Sequence, residues 1–137
     1  KRKGPEVNEL LVMKFGGTSM GSADRIKMAA KLTLEQHTKR PTVIVVSAMS
    51  KVTDLLLDTM RKAEAGDEAG VDKNLETLRE KHLACCQELL PAGFQESTID
   101  GVNGLVAEFE RVVRGMMLLG ERPLSSVDRA VAIGERL

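Results

Sequence analysis

The chain has 137 residues, 42% hydrophobic and 29% charged, which suits one domain around one buried core. Lys plus Arg and Asp plus Glu each number 20, so the formal net charge is zero, without the basic excess of a nucleic-acid binder. No apolar run approaches the roughly 18 residues of a membrane span, and 2% aromatic content without Trp or Tyr excludes an aromatic stacking platform.

Residues 1–9 are polar, contain Gly4 and Pro5, and read as a disordered lead-in. The apolar run Leu10 to Phe15 stops at Gly16-Gly17 and predicts a buried strand entering a tight turn. Ser22 and Asp24 are helix-start signals, and Ile26, Ala29, Ala30 and Leu34 recur at helical spacing to about Thr38. Pro41 then precedes the β-branched run Thr42 to Val46, a second buried strand ending at Ser47. Strand, helix, strand at this spacing is a βαβ unit with parallel strands and a right-handed crossover.

Thr53 and Asp54 are expected to cap the next helix, which carries Leu56, Leu57, Met60 and Ala63 and closes at Gly66. Val71, Leu75, Leu78, His82, Cys85 or Cys86, and Leu89 form the stripe of a long helix ending near Pro91. Ile99, Val102, Val106, Phe109, Val113 and Met116 form another, and the short loop 91–95 makes the pair an antiparallel hairpin. His82 reads as a partly buried, hydrogen-bonded ring, and Met116-Met117 as core filler. Adjacent Cys85 and Cys86 fit neither a strain-free disulfide nor a zinc spacing with His37 and His82, so they read as reduced thiols of an intracellular protein. Gly120 and Pro123 break the chain, Ser125 and Ser126 follow, and 127–137 is a helix without a C-terminal cap. Only two strands and an uncapped last helix lead us to expect the N-terminal piece of a larger domain, with an open sheet edge and an exposed apolar face.

Three constellations could carry chemistry. Lys14-Phe15-Gly16-Gly17-Thr18-Ser19 puts a cation, two glycines and two hydroxyls at the carboxyl edge of a strand, where open α/β sheets bind ligands. It suits a phosphate, yet it is not a Walker A loop, because the Lys precedes the glycines. A plain strand-turn with a surface lysine fits the same residues. Ser47 to Thr53 leaves the second strand beside it, so Ser47 and Thr53 can face the same ligand, although Thr53 also serves as a simple cap. Gly134-Glu135 offers a carboxylate beside a residue that permits close approach; by spacing alone Glu135 is a solvated helix residue.

Val12-Met-Lys-Phe-Gly-Gly-Thr-Ser19 closely resembles the opening signature of aspartate kinases. Val45-Val-Ser-Ala-Met-Ser-Lys-Val-Thr-Asp54 resembles their second motif, and Ile133-Gly-Glu-Arg-Leu137 their Gly-Glu motif, in the family's order. The resemblance implies the amino-acid kinase fold, an α/β three-layer αβα sandwich of the carbamate kinase type. Residues 10–137 would form its N-terminal portion, with a long helical hairpin. It implies ATP-dependent phosphorylation of L-aspartate on its β-carboxylate, with Mg²⁺ held mainly through the nucleotide phosphates and no metal ligands from this chain. By the same resemblance Lys14 would stabilise the transferring phosphoryl group, and Gly16, Gly17, Thr18 and Ser19 would hold ATP phosphates. Ser47, Thr53 and Glu135 would hold aspartate, Glu135 through its ammonium. The nucleotide-base half and regulatory ACT domains would lie outside these residues, so the chain alone is expected to be inactive. Another amino-acid kinase with a different acceptor and a non-catalytic interaction piece stay open beside this reading. Neither nucleic acid nor membrane is an expected partner; a cytoplasmic location and a homo-oligomeric full-length protein are.

Overall fold

A computed structural model describes residues 9–137; the lead-in expected over residues 1–9 lies outside the described residues except for Glu9. The order is β1 (Leu11–Phe15), α1 (Ala23–His37), β2 (Thr42–Val46), α2 (Val52–Glu64), α3 (Glu68–Leu89), α4 (Ala92–Leu119) and α5 (Leu124–Arg136). β1 and β2 pair in parallel, with Lys14 opposite Val45 and Phe15 opposite Val46, so both strands leave the sheet at one edge. α1 begins where the sequence signals it: the Ser22 hydroxyl accepts from the Arg25 amide.

The expectation of two buried strands is corrected. Along β1 half-buried and exposed residues alternate, and in β2 Val43, Ile44, Val45 and Val46 are 43–52% exposed. Among the described residues the sheet has two strands and one covering helix, so one face has no layer against it.

The core sits in the helices. Val52, Leu56 and Met60 of α2, Val71 and Leu78 of α3, Val106, Phe109 and Val113 of α4, and Ala130 and Ile133 of α5 form one buried cluster. Their spacing is the helical stripe read from the sequence, and Met116 joins it at 3% exposure. Asn74, itself buried, donates from Nδ2 to Asp58 at 2.8 Å and lies beside Lys62, which tethers α3 to α2. Lys62 and Asn74 together hold the Asp58 carboxyl below the ordinary carboxylate range. The hairpin loop is shorter than expected. α4 starts at Ala92, directly after Pro91, whose fixed φ of −59° suits a helix entry. α5 likewise starts early, so Ser125 and Ser126 lie inside it.

His82 is more buried than its spacing suggests, at 2% exposure. Its Nδ1 lies 2.7 Å from the Leu78 carbonyl, which can only accept, so Nδ1 carries the proton. Nε2 has no partner among the described residues. Burial pushes the imidazole below the ordinary histidine value and outweighs the opposing Leu78 carbonyl. The unfolded chain therefore takes up a proton that the folded ring refuses, and stability falls as pH drops below about 6.5. We expect the melting temperature to decline from pH 7.5 to 5.5 and His82→Gln to flatten that slope, whatever its effect at pH 7.5. An identical slope in the variant would assign the acid sensitivity to another group.

Candidate functional site

The first loop is built from a turn in which the Gly16, Gly17 and Thr18 carbonyls are engaged. Ser19 N–H donates to Gly16 O at 2.9 Å, Met20 N–H is shared between Gly16 O and Gly17 O, and Gly21 N–H reaches Thr18 O at 3.3 Å. The Arg25 guanidinium adds a bond to the same Thr18 carbonyl at 2.8 Å. The amides of Gly17 and Thr18 make no hydrogen bond among the described residues. Buried Met20, at 7% exposure, anchors the end of the turn. Lys14 precedes it on the exposed side of β1, and Thr18 is exposed while Ser19 is half-buried.

The second loop runs from half-buried Ser47 to Lys51 and touches the first. A Cβ on Gly17 would lie 3.2 Å from the Ala48 carbonyl oxygen, so the absence of a side chain there lets the two backbones meet. The loop ends with Val52 N–H bonded to Met49 O at 3.0 Å and with Lys51 in the left-handed region at φ 65°.

That geometry corrects the expected caps. Lys51, not Thr53 or Asp54, holds the N-cap position of α2, and no side chain caps the helix. Val52 is fully buried, and sinking it into the core starts the helix one residue before Thr53. Thr53, the second residue of α2, keeps its hydroxyl free of hydrogen bonds among the described residues; Asp54 lies in the first turn, where its charge suits the positive helix end.

The third element comes from the far end of the chain. Glu135 Oε2 accepts from the Ala48 amide at 3.0 Å, a bond spanning 87 positions. Glu135 is therefore not a plain solvated helix residue. Its neighbour Gly134 is buried against α2, where a Cβ would lie 2.7 Å from Leu56 Cδ1 and 3.5 Å from Val52 Cγ1. Ser47 and Glu135 border a cavity of about 370 Å³ that reaches Met49, His82, Cys86 and Val102. Burial raises both thiols, Cys85 and Cys86, above the ordinary cysteine value, so neither is an activated nucleophile.

Ala48 is thus the junction: it touches Gly17 through its carbonyl and Glu135 through its amide. Gly17, Ser47 and Glu135 are brought together, and Gly16, Thr18 and Ser19 follow on the first loop. Lys14 and Thr53 flank the junction in sequence, without hydrogen bonds to it. Sequence reasoning missed Arg25 and Lys51. Arg25 follows the Ser22 cap by three positions, a spacing that reveals nothing of its reach back to Thr18. Lys51 has no residue signal at all, since left-handed backbone ordinarily selects Gly or Asn.

Two substitutions test this construction. Gly134→Ala should cost about 1–3 kcal/mol, because Leu56 is fully buried and cannot swing away freely; an unchanged denaturation midpoint would show that α5 is loosely seated. Lys51→Gly should leave stability unchanged or raise it by up to about 1 kcal/mol by removing the left-handed strain. A clear loss would assign the Lys51 side chain a stabilising contact.

The comparisons with known proteins bear on the family and the fold. A model of the amino acid kinase family matches residues 9–137. Bifunctional aspartokinase/homoserine dehydrogenase 2, a chloroplastic protein of Arabidopsis thaliana, is 32% identical over 124 residues, which cover 90% of this chain and 13% of that protein. Chloroplastic aspartokinase 3 of the same plant is 36% identical over 127 residues, covering 90% of this chain and 21% of that protein. The chain thus spans a small part of the relatives it matches. Among solved structures, E. coli aspartokinase III in complex with aspartate and ADP superposes with a TM-score of 0.78 at 23% identity, over 93% of this chain and 26% of that one. The same enzyme in complex with lysine and aspartate gives 0.77 at 23% identity, with the same coverage. Sheet, helices and motif order therefore carry the amino-acid kinase fold, and the chain belongs to the amino acid kinase family, with aspartokinases among its relatives.

Proposed function

We propose that the polypeptide carrying this chain is an aspartate kinase. It transfers the γ-phosphoryl group of ATP to the β-carboxylate of L-aspartate and yields 4-phospho-L-aspartate, the first step toward lysine, threonine, methionine and isoleucine. A carboxylate oxygen attacks the γ-phosphorus, the bond to the β–γ bridging oxygen breaks, and ADP leaves. Little covalent work falls to the protein, so positioning and charge stabilisation carry the catalysis.

The observation that supports this reading is the junction at Ala48, where a phosphate-suited loop and a carboxylate from the other end of the chain converge. Gly16, Gly17, Thr18 and Ser19 would line the ATP phosphates, with the Gly17 and Thr18 amides as donors. The Lys14 ammonium would neutralise charge on the transferring group. Ser47 and Thr53 would donate to aspartate carboxylates. Glu135 uses Oε2 for Ala48, which leaves Oε1 to accept the substrate ammonium. Mg²⁺ would come with ATP, held by phosphate oxygens and water as a hard ion prefers. The remaining nucleotide contacts and the homo-oligomeric state belong to the longer polypeptide.

The test is ATP-dependent aspartyl hydroxamate formation by the full-length gene product, in which hydroxylamine traps the acyl phosphate. Lys14→Ala should lower kcat by about 10²–10³, the scale of one lost transition-state donor. Thr53→Val should raise the KM for aspartate by about tenfold and leave that for ATP within twofold, on the scale of one lost hydrogen bond to a charged group. Hydroxamate with another carboxylate but none with aspartate would keep the family and replace the substrate.

A further inference from the structure

We infer that Arg25 is a positioning residue for the phosphate loop: by holding the Thr18 carbonyl it keeps the Gly17 and Thr18 amides aligned toward a nucleotide phosphate. The inference rests on the kinase reading above only for the identity of the nucleotide. Each peptide of the turn is trans, so its C=O and N–H point in opposite directions. The Gly16 carbonyl accepts from Ser19 and Met20, and the Gly17 carbonyl from Met20. The N–H groups of Gly17 and Thr18, which share those two peptides, must therefore point the other way. They stay aligned only while the carbonyl side of the turn stays bonded.

Thr18 provides the last carbonyl of that side. Its bond from Gly21 is long, at 3.3 Å, whereas the Arg25 guanidinium reaches it at 2.8 Å. A cation at the carbonyl end also suits the summed peptide dipoles, whose positive end then faces the anion. The tether is anchored on a fixed element. Arg25 lies in the first turn of α1, its amide bonded to the Ser22 hydroxyl, and Ala23 and Ala29 of the same helix are 1% and 6% exposed. Thr18, Gly21, Ser22, Arg25 and Ser50 line one shallow recess, which places the tether beside the second loop.

The experiment uses the full-length gene product and compares Arg25→Ala with Arg25→Lys. The probe is MgADP, titrated calorimetrically, alongside amide hydrogen exchange without nucleotide. For Arg25→Ala we expect at least fivefold weaker MgADP binding, an aspartate affinity within twofold, and roughly tenfold faster exchange at Met20 and Gly21 with α1 unchanged. Arg25→Lys should recover most of both effects. Unchanged exchange with weakened MgADP would overturn positioning in favour of direct phosphate contact. Parallel losses of MgADP binding, aspartate binding and melting temperature would overturn it in favour of a general structural role. If the unsubstituted protein binds MgADP but does not phosphorylate aspartate, the kinase reading falls and the same comparison still decides the role of Arg25. A protein that binds no MgADP overturns both.

Discussion

Helix α5 approaches the start of α2 so closely that a Cβ at position 134 would lie 2.7 Å from Leu56 Cδ1. This contact sets the geometry of the whole junction. It brings the residue after Gly134 within hydrogen-bond reach of the Ala48 amide, and Ala48 in turn sets where Gly17 can sit. Burial of Val52, Leu56 and Ile133 drives the approach, each at 1% exposure or less. The hydrogen bond from Ala48 to Glu135 then fixes direction, because burial has none. A buried hydrophobic contact thus sets the position of a carboxylate at the surface.

The two loops at the junction are held in different ways. The second loop is stiff because it enters α2 through a buried valine, and it tolerates a left-handed Lys51 as a consequence. A cost of about 1–2 kcal/mol for such backbone is small beside the burial of Val52 and Leu56 together. The first loop hangs on a two-stranded sheet whose second strand is about half exposed. Its order comes from within, through successive carbonyl-to-amide bonds and the Arg25 tether. Such weakly buried segments open locally at lower cost than the core does.

Much of this was legible in the residues. Helical stripes such as Val102, Val106, Phe109 and Val113 name the core directly, because period and burial coincide. Gly16-Gly17 after an apolar run marks the first loop, and Ser22 marks the start of α1. The β-branched run at Thr42–Val46 revealed the strand but misled on burial. Composition reports what a strand is suited to face, not whether another layer is there to face it. The cap at α2 was misread for a related reason: Thr53 has the right chemistry, yet the register was set by Val52 sinking into the core. Glu135 was the hardest, because a contact across 87 positions leaves no trace in local spacing.

The exposed sheet also bears on how the site works. Val43 and Val45 of β2 lie on the same side as Lys14 and Val12, and all four are solvent-exposed among the described residues. A lysine ammonium surrounded by water and apolar side chains is weakly placed, because solvent screens its charge and its four-carbon stem is flexible. Covering that face would act on two terms at once, burying the valines and lowering the dielectric around Lys14. The attraction between an ammonium and a phosphoryl oxygen grows steeply as water is excluded. The strands thus supply an apolar surface and a cation in alternation, so whatever packs over the valines also strengthens the charge. Period-two geometry couples the stability of this face to the electrostatics around Lys14.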